Sequence, residues 1–288
     1  MDAMCYTEDE LKKLHLELYD ILREIQRVCD KLDIKCFIQG GSAIGAFYEK
    51  GILPWDDDID VGMLRLDFER FLREAPALMK SKYFLQWVGS EEHFPQTMAK
   101  VRKTGTEFRQ HYFCNVPMHH GIFVDVMPYD KVPDNRILQT VHRSFLRFLS
   151  LCMLNQEVWG WKFFKKSAVD KPATQRYITA LGVYVVSSLF PRKKIFRFFS
   201  IVSAMFNRYD MYYYNQAKEF RDHISVKSLE NLQLVPFGPL QVYVPDDLET
   251  YLRHHYPNLR RTIPKEEQFS HGPDVLKFSN DFPDNVFV

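Results

Sequence analysis

The 288-residue sequence predicts an α/β (α+β) fold, a mixed sheet with flanking helices and an additional, mainly helical region. Three observations lead there. The run "KCFIQ" enters a twin glycine and then the helical pattern of "SAIGAFYEK". Between residues 58 and 127, short alternating or continuous apolar runs recur, each of strand length. From about Asp134 the period becomes that of helices.

Along the chain, Thr7 and Glu10 form the signature of a capping box. The spacing of Leu11, Leu14, Leu18, Ile21, Leu22, Ile25 and Val28 behind it predicts an amphipathic helix. "KCFIQ" then reads as a strand running into Gly40 and Gly41, and "SAIGAFYEK" as a helix closed by Gly51. Pro54 breaks the chain before "DIDVGM", where acidic and apolar side chains alternate as on a strand with two unlike faces. A polar helix around "RLDFERFLREA" follows, then strands at "YFLQWV", "TMAKVRK", "TEFRQHYF" and "GIFVDVM", the last ending at Pro128. After the helical middle, "LQLVPF" and "LQVYVP" predict strands before a helix from Asp246 to about His255.

Composition narrows the class. With 46% hydrophobic and 15% aromatic residues the chain can bury a sizeable core. A formal net charge of +1 gives no overall bias toward nucleic acid, and no recognition module for one is present. Charge is uneven, however: residues 136–227 hold sixteen Lys and Arg against five Asp and Glu. The five cysteines, Cys5, Cys29, Cys36, Cys114 and Cys152, form no CxxC pair, which fits a reducing compartment. The start "MDAMCYTEDELKK" lacks the pattern of a signal peptide, and the apolar run at 178–190 is shorter than the roughly 20 residues of a membrane span. The expectation is a cytoplasmic protein.

The stretch "FIQGGSAIGAFYEKGILPWDDDIDVGM" holds four aspartates within five positions. Side chains two apart on a strand share a face, so Asp58 and Asp60 are expected to point together while Ile59 and Val61 enter the core. Two such carboxylates repel unless a proton or a divalent cation neutralises them, and a hard cation such as Mg²⁺ prefers carboxylate and phosphate oxygens. Most charge runs are solvated turns. The alternation with strand-forming residues beside a glycine turn argues against that here. A calcium loop fails because its sixth position would be Val61 and its twelfth Asp67. Asp125, between Val124 and Val126, is a third carboxylate, able to complete a metal cluster or to accept a proton; a capping role at a strand end is its ordinary alternative. Gly40, Gly41 and Ser42, at the start of a helix, are suited to a phosphate. Together these residues form the active-site pattern of the nucleotidyltransferase fold.

The block "GGSAIGAFYEKGILPWDDDIDVGMLRLDFERF" resembles the hallmark of the LicD and fukutin-like phosphotransferases, and "GIFVDVMPYDKVP" and "VPDDLETYLRHHYPNLRRTIP" are similar to two further blocks of that family. The resemblance implies a metal-dependent transfer of a phosphorylated alcohol, phosphocholine foremost, from a CDP-alcohol such as CDP-choline to a glycan hydroxyl, with CMP leaving. It implies Asp58, Asp60 and Asp125 as catalytic metal ligands for Mg²⁺, with Mn²⁺ as the alternative, and Gly40, Gly41 and Ser42 as holders of the diphosphate. It divides the chain into a catalytic core at 1–133, a basic helical region at 134–231 and a completing segment at 232–288. Where the family commonly has tyrosine, glycine and aspartate, this chain reads Tyr256, Pro257, Asn258 and Leu259.

Lys100 and Arg102, with Lys103 and Arg109 behind them, are candidates to charge-balance the donor phosphates, unless they simply line a basic edge strand. His119 and His120 are expected to pack. Trp55 beside the aspartates is a candidate aromatic face for a quaternary ammonium. Residues 187–206 interleave Arg192, Lys193, Lys194 and Arg197 with phenylalanines, as an interfacial helix on an anionic membrane does, though a buried helix with a basic end reads the same way. That membrane would be the inner face of the cytoplasmic membrane, near a lipid-linked acceptor. Two rivals stay open: a nucleotidyltransferase that releases pyrophosphate, and a noncatalytic glycan- or membrane-binding relative.

Overall fold

A computed structural model describes residues 6–159, 173–216, 223–261, 264, 268 and 270–279. Helix α1 (Glu8–Leu32) begins at the capping box: the Thr7 side chain accepts from the Glu10 amide, and the Glu10 side chain accepts from the Thr7 amide. Its predicted stripe is buried from Leu14 to Val28. Strand β1 (Phe37–Ile38) leads directly into α2 (Gly40–Tyr48), followed by β2 (Asp60–Leu64), α3 (Arg65–Leu78), β3 (Tyr83–Gln86), β4 (Ala99–Lys103) and β5 (Glu107–Gln110). Then come β6 (Phe123–Val132), α4 (Arg136–Leu154), α5 (Ala173–Leu189), α6 (Arg192–Ser203), β7 (Tyr213–Gln216) and β8 (His223–Ser225). A short helix α7 (Val226–Glu230), the hairpin β9 (Gln233–Phe237) and β10 (Leu240–Val244), α8 (Leu248–His255) and β11 (Pro273–Lys277) complete the described chain.

The central sheet runs β3-β4-β6-β2-β1-β10-β9, parallel between β2 and β6 and between β1 and β10 and antiparallel elsewhere. β7 extends the far end of β6 and carries β8, so the basic middle region is not only helical: it adds two strands to the same sheet. β5 pairs with β11 in a separate two-stranded ribbon, and past Gln110 the chain turns as a 3-10 helix at His111–Phe113, not as a longer strand. The main core lies between the sheet and α1, α2, α3 and α8, and a smaller cluster under α4, α5 and α6 packs on Val88 and Phe94.

Two expectations need correction. β6 does not end at Pro128 but continues through it to Val132. Asp125 donates its amide to Ile59 on the β2 side, and strand amides alternate, so position 128 faces away from β2. On that side β4 ends its pairing at Val126 and β7 begins at Tyr129, and the missing amide of proline falls in the gap between them. Nor is β4 a basic edge: it lies between β3 and β6, and Lys100, Arg102 and Lys103 are buried.

Candidate active site

Strand register builds the site. Asp60 of β2 is the direct partner of Asp125 on the parallel β6, and Asp125 is the partner of Lys100 on the antiparallel β4. Side chains at paired positions share a face, so Lys100, Asp125 and Asp60 form a row across three neighbouring strands. Lys100 Nζ donates to Asp125 Oδ1 at 2.5 Å and stands over the Phe123 ring, 3.5 Å from its centroid. Burial pulls the Lys100 ammonium below its ordinary range, against the attraction of Asp125.

The twin glycine meets the carboxylates edge on. Gly40 has φ +60°, and a Cβ there would stand 3.1 Å from Asp60 Oδ2; at Gly41 it would stand 3.3 Å from Asp56 Oδ2. The first turn of α2 therefore packs against Asp56 and Asp60: a Cβ at either glycine would crowd a carboxylate oxygen by a few tenths of an ångström, and the positive φ at Gly40 itself favours glycine. Ser42 is buried and its Oγ accepts the Asp60 amide at 3.0 Å, which ties α2 to the start of β2.

Four acidic side chains crowd here, and their surroundings separate them. Burial together with the charges of Asp58 and Asp57 pushes Asp56 up to about 8. Burial also raises Asp58, to about 6, helped by Asp125 and Asp57 and opposed by His271. Asp60 is raised by burial and by Asp58, Asp125 and Asp56. Asp57 goes the other way: hydrogen bonds from His271 and Tyr6 outweigh its burial and hold it below the usual range. Its oxygens accept from Tyr6 Oη at 2.7 Å, the His271 amide at 3.1 Å and the Gly272 amide at 2.9 Å. The Asp57 hydrogen bond in turn lifts His271 to about 9, despite its burial.

A cavity of about 520 Å³ opens onto this cluster, lined on one side by Gly41, Trp55, Asp56, Asp58 and Asp60 and on the other by His255 to Arg260, with His271. The loop at 256–259 is thus the opposite wall of the cleft. Trp55 and Tyr256 bring two aromatic rings to it.

Not every expected residue meets the cluster. Arg102 is buried, donating to Gln86 Oε1 at 2.5 Å and to the Gly121 carbonyl at 2.6 Å, and burial lowers it to about 10. Lys103 pairs with Glu17 and Asp20 of α1. Arg109 contacts Glu107 and the Cys114 carbonyl, while His119 stacks on Phe84 and His120 meets the Val116 carbonyl. Asp57, Asp58 and His271 bring ligating atoms within 4.8 Å of one another, a set that differs from Asp58, Asp60 and Asp125. The outer two of those three each have a cation beside them: Asp125 has Lys100, and Asp58 Oδ2 lies 3.5 Å from His271 Nδ1. Nothing local in the sequence marks His271, which reaches the site across 211 positions from Asp60.

The mixed sheet and the carboxylates of β2 and β6 beside a glycine-led helix define a nucleotidyltransferase-type domain. Residues 33–151 match the family described as LicD/FKTN/FKRP, nucleotidyltransferase domain. The matched segment carries Gly40, Gly41, Ser42, Asp58, Asp60 and Asp125, so the likeness to that family includes the candidate site. Among the chain's relatives is the lipopolysaccharide cholinephosphotransferase LicD of Haemophilus influenzae, 25% identical over 275 residues, which cover 91% of this chain and 95% of that protein. An uncharacterised protein of Rickettsia prowazekii is 36% identical over 123 residues, covering 43% of this chain and 42% of its own. A second, from Rickettsia typhi, is 32% identical over 72 residues, 25% of this chain and 23% of its own.

Proposed function

We propose that this protein transfers a phosphorylated alcohol, phosphocholine foremost, from a CDP-alcohol to a hydroxyl of a cell-surface glycan and releases CMP. The observation that carries the reading is the Lys100–Asp125–Asp60 row, whose Asp60 end opens on a cleft also lined by Asp56 and Asp58. The relative named a lipopolysaccharide cholinephosphotransferase supports the headgroup and suggests the acceptor. Trp55 and Tyr256 suit a quaternary ammonium, whose attraction to aromatic faces is worth about 0.5–2 kcal/mol.

The proposed ligands offer carboxylate oxygens, the donor type a hard cation takes. Asp58 and Asp60 have raised proton affinity because burial and like charge disfavour their ionised forms, the situation a divalent ion relieves. Asp58, Asp60 and Asp125 would hold Mg²⁺ or Mn²⁺, which would supply neutralising charge for the diphosphate and the leaving CMP. In the proposed reaction the acceptor oxygen forms a bond to the phosphorus that bears the alcohol, the bond from that phosphorus to the CMP oxygen breaks, and Asp125 takes the hydroxyl proton. Lys100 keeps the Asp125 carboxylate oriented. The first turn of α2 at Gly40, Gly41 and Ser42 orients the diphosphate, with Lys100 adding positive potential from the end of the row.

The test is product analysis with Mg²⁺ and a glycan acceptor extract, offering CDP-choline, CDP-ribitol, CDP-glycerol and CTP separately. CMP from CDP-choline, lost at least about a thousandfold in Asp60→Asn, is expected. Pyrophosphate from CTP would replace this reading with nucleotidyl transfer, and no consumption of any donor would leave the noncatalytic relative.

A further inference from the structure

The helices of the middle region carry two apolar faces. Inward, Leu146, Leu149 and Met153 of α4, Val183 of α5, and Ile195 and Phe199 of α6 close the smaller core. Outward, α4 exposes Ile137, Val141 and Phe145, each four residues from the next, and α5 exposes Ile178, Leu181, Val185 and Leu189 at intervals of three or four. α6 adds Phe198 and Ile201. These stripes join: the Phe145 ring lies 6.0 Å from that of Phe198 and 6.4 Å from that of Phe148, and Phe148 lies 3.4 Å from where a Cβ on Gly182 of α5 would stand. A helix apolar on both faces is ordinarily covered on both.

Charge selects the occupant. Arg136, Arg147, Lys193, Lys194 and Arg197 are exposed on these helices, and none of the three contains an Asp or a Glu. A second copy of the chain would set the same cations face to face. Nucleic acid would match the cations and leave the aliphatic stripes in water. A bilayer with anionic headgroups satisfies both features, since apolar side chains enter the acyl boundary while Lys and Arg meet phosphates. None of the described helices is long and apolar enough to cross a membrane, so the contact is peripheral.

We propose that the outer faces of α4, α5 and α6 dock this protein on an anionic lipid bilayer. The surface is wider than residues 187–206 alone, because α4 and α5 supply most of its apolar side chains. It stands independently of the transfer chemistry.

The experiment is sedimentation of the full chain with phosphatidylcholine vesicles and with phosphatidylcholine–phosphatidylglycerol vesicles. The wild type is expected to pellet with the anionic vesicles. The triple change Lys193→Gln, Lys194→Gln and Arg197→Gln weakens binding roughly a hundredfold. Replacing exposed apolar residues by Ile178→Ser, Val185→Ser and Leu189→Ser weakens it roughly tenfold or more, with an unchanged circular dichroism spectrum. Equal binding to neutral and anionic vesicles, or variants that bind as the wild type does, would overturn the proposal. So would a solution dimer, dissociated by the serine changes, that binds no vesicle; the face would then belong to a second copy.

Discussion

Asp60 and Asp125 are neighbours because two parallel strands pair them, and their charges oppose folding. Like charges directly opposed across strands destabilise on the order of 1 kcal/mol. Asp60→Asn is therefore expected to raise the melting temperature of cation-free protein while ending CMP release. Added Mg²⁺ should raise the melting temperature of the wild type more than that of the variant, because binding to the folded state alone stabilises it. Differential scanning fluorimetry with and without a chelator measures both. At Asp20, burial pushes the carboxyl up, but hydrogen bonds from Lys103 and Lys82 outweigh it and lower it from 3.8 to about 2. A depressed carboxylate stabilises the fold above its unfolded value and loses that contribution as pH falls through its folded one. Asp20→Asn should cost about 1–2 kcal/mol at neutral pH, and the difference should shrink as acid approaches about 2, read by urea denaturation across pH.

Element by element, β6 holds the two halves of the molecule's polar chemistry. Asp125 and Asp130 are an odd number of positions apart, so a strand sends them to opposite faces. Asp125 shares the face of Asp60, which lines the cleft. Asp130 is wholly buried, where Arg65 forms a two-pronged pair with it and Ser203 and Asn207 donate to it. Asp130→Ala leaves the Arg65 charge buried without its partner and should destabilise by about 3–5 kcal/mol, whereas Asp130→Leu with Arg65→Met should recover most of the loss in denaturant titration. At the head of α2, Gly40→Ala combines a left-handed φ, costing about 1–2 kcal/mol, with a methyl 3.1 Å from Asp60 Oδ2. Its turnover should fall further than its stability explains, measured as CMP release beside the melting temperature.

Across the whole molecule, Asp57 joins distant parts of the chain: Tyr6 before α1, the aspartate loop, and His271 and Gly272 before β11. Its loss exposes two amides and a phenol that it now satisfies. Asp57→Ala should open the 271–277 segment to limited proteolysis, with cleavage sites read by mass spectrometry, and should remove His271 from the cleft wall. The same dependence on the whole explains what was legible. The capping box, the strand–glycine–helix unit and the aspartates could be read because each is written within about a dozen neighbouring residues. Lys100 was visible as a cation, but its pairing with Asp125 was not, since that depends on β4 lying beside β6. Arg102, just two residues further, looked equivalent, yet the same sheet buries it against Gln86 and Gly121.

By itself, the sequence determined the α/β class, the long first helix, the carboxylates of β2 and β6, and the likeness to LicD-type domains, because periodicity and motif spacing are local properties. Tertiary structure alone decided that Asp60 faces Asp125, that Pro128 sits within a strand, that the middle region lends β7 and β8 to the main sheet, and that His271 closes the cleft. These depend on strand order and on contacts between residues far apart in the chain, which no local pattern encodes.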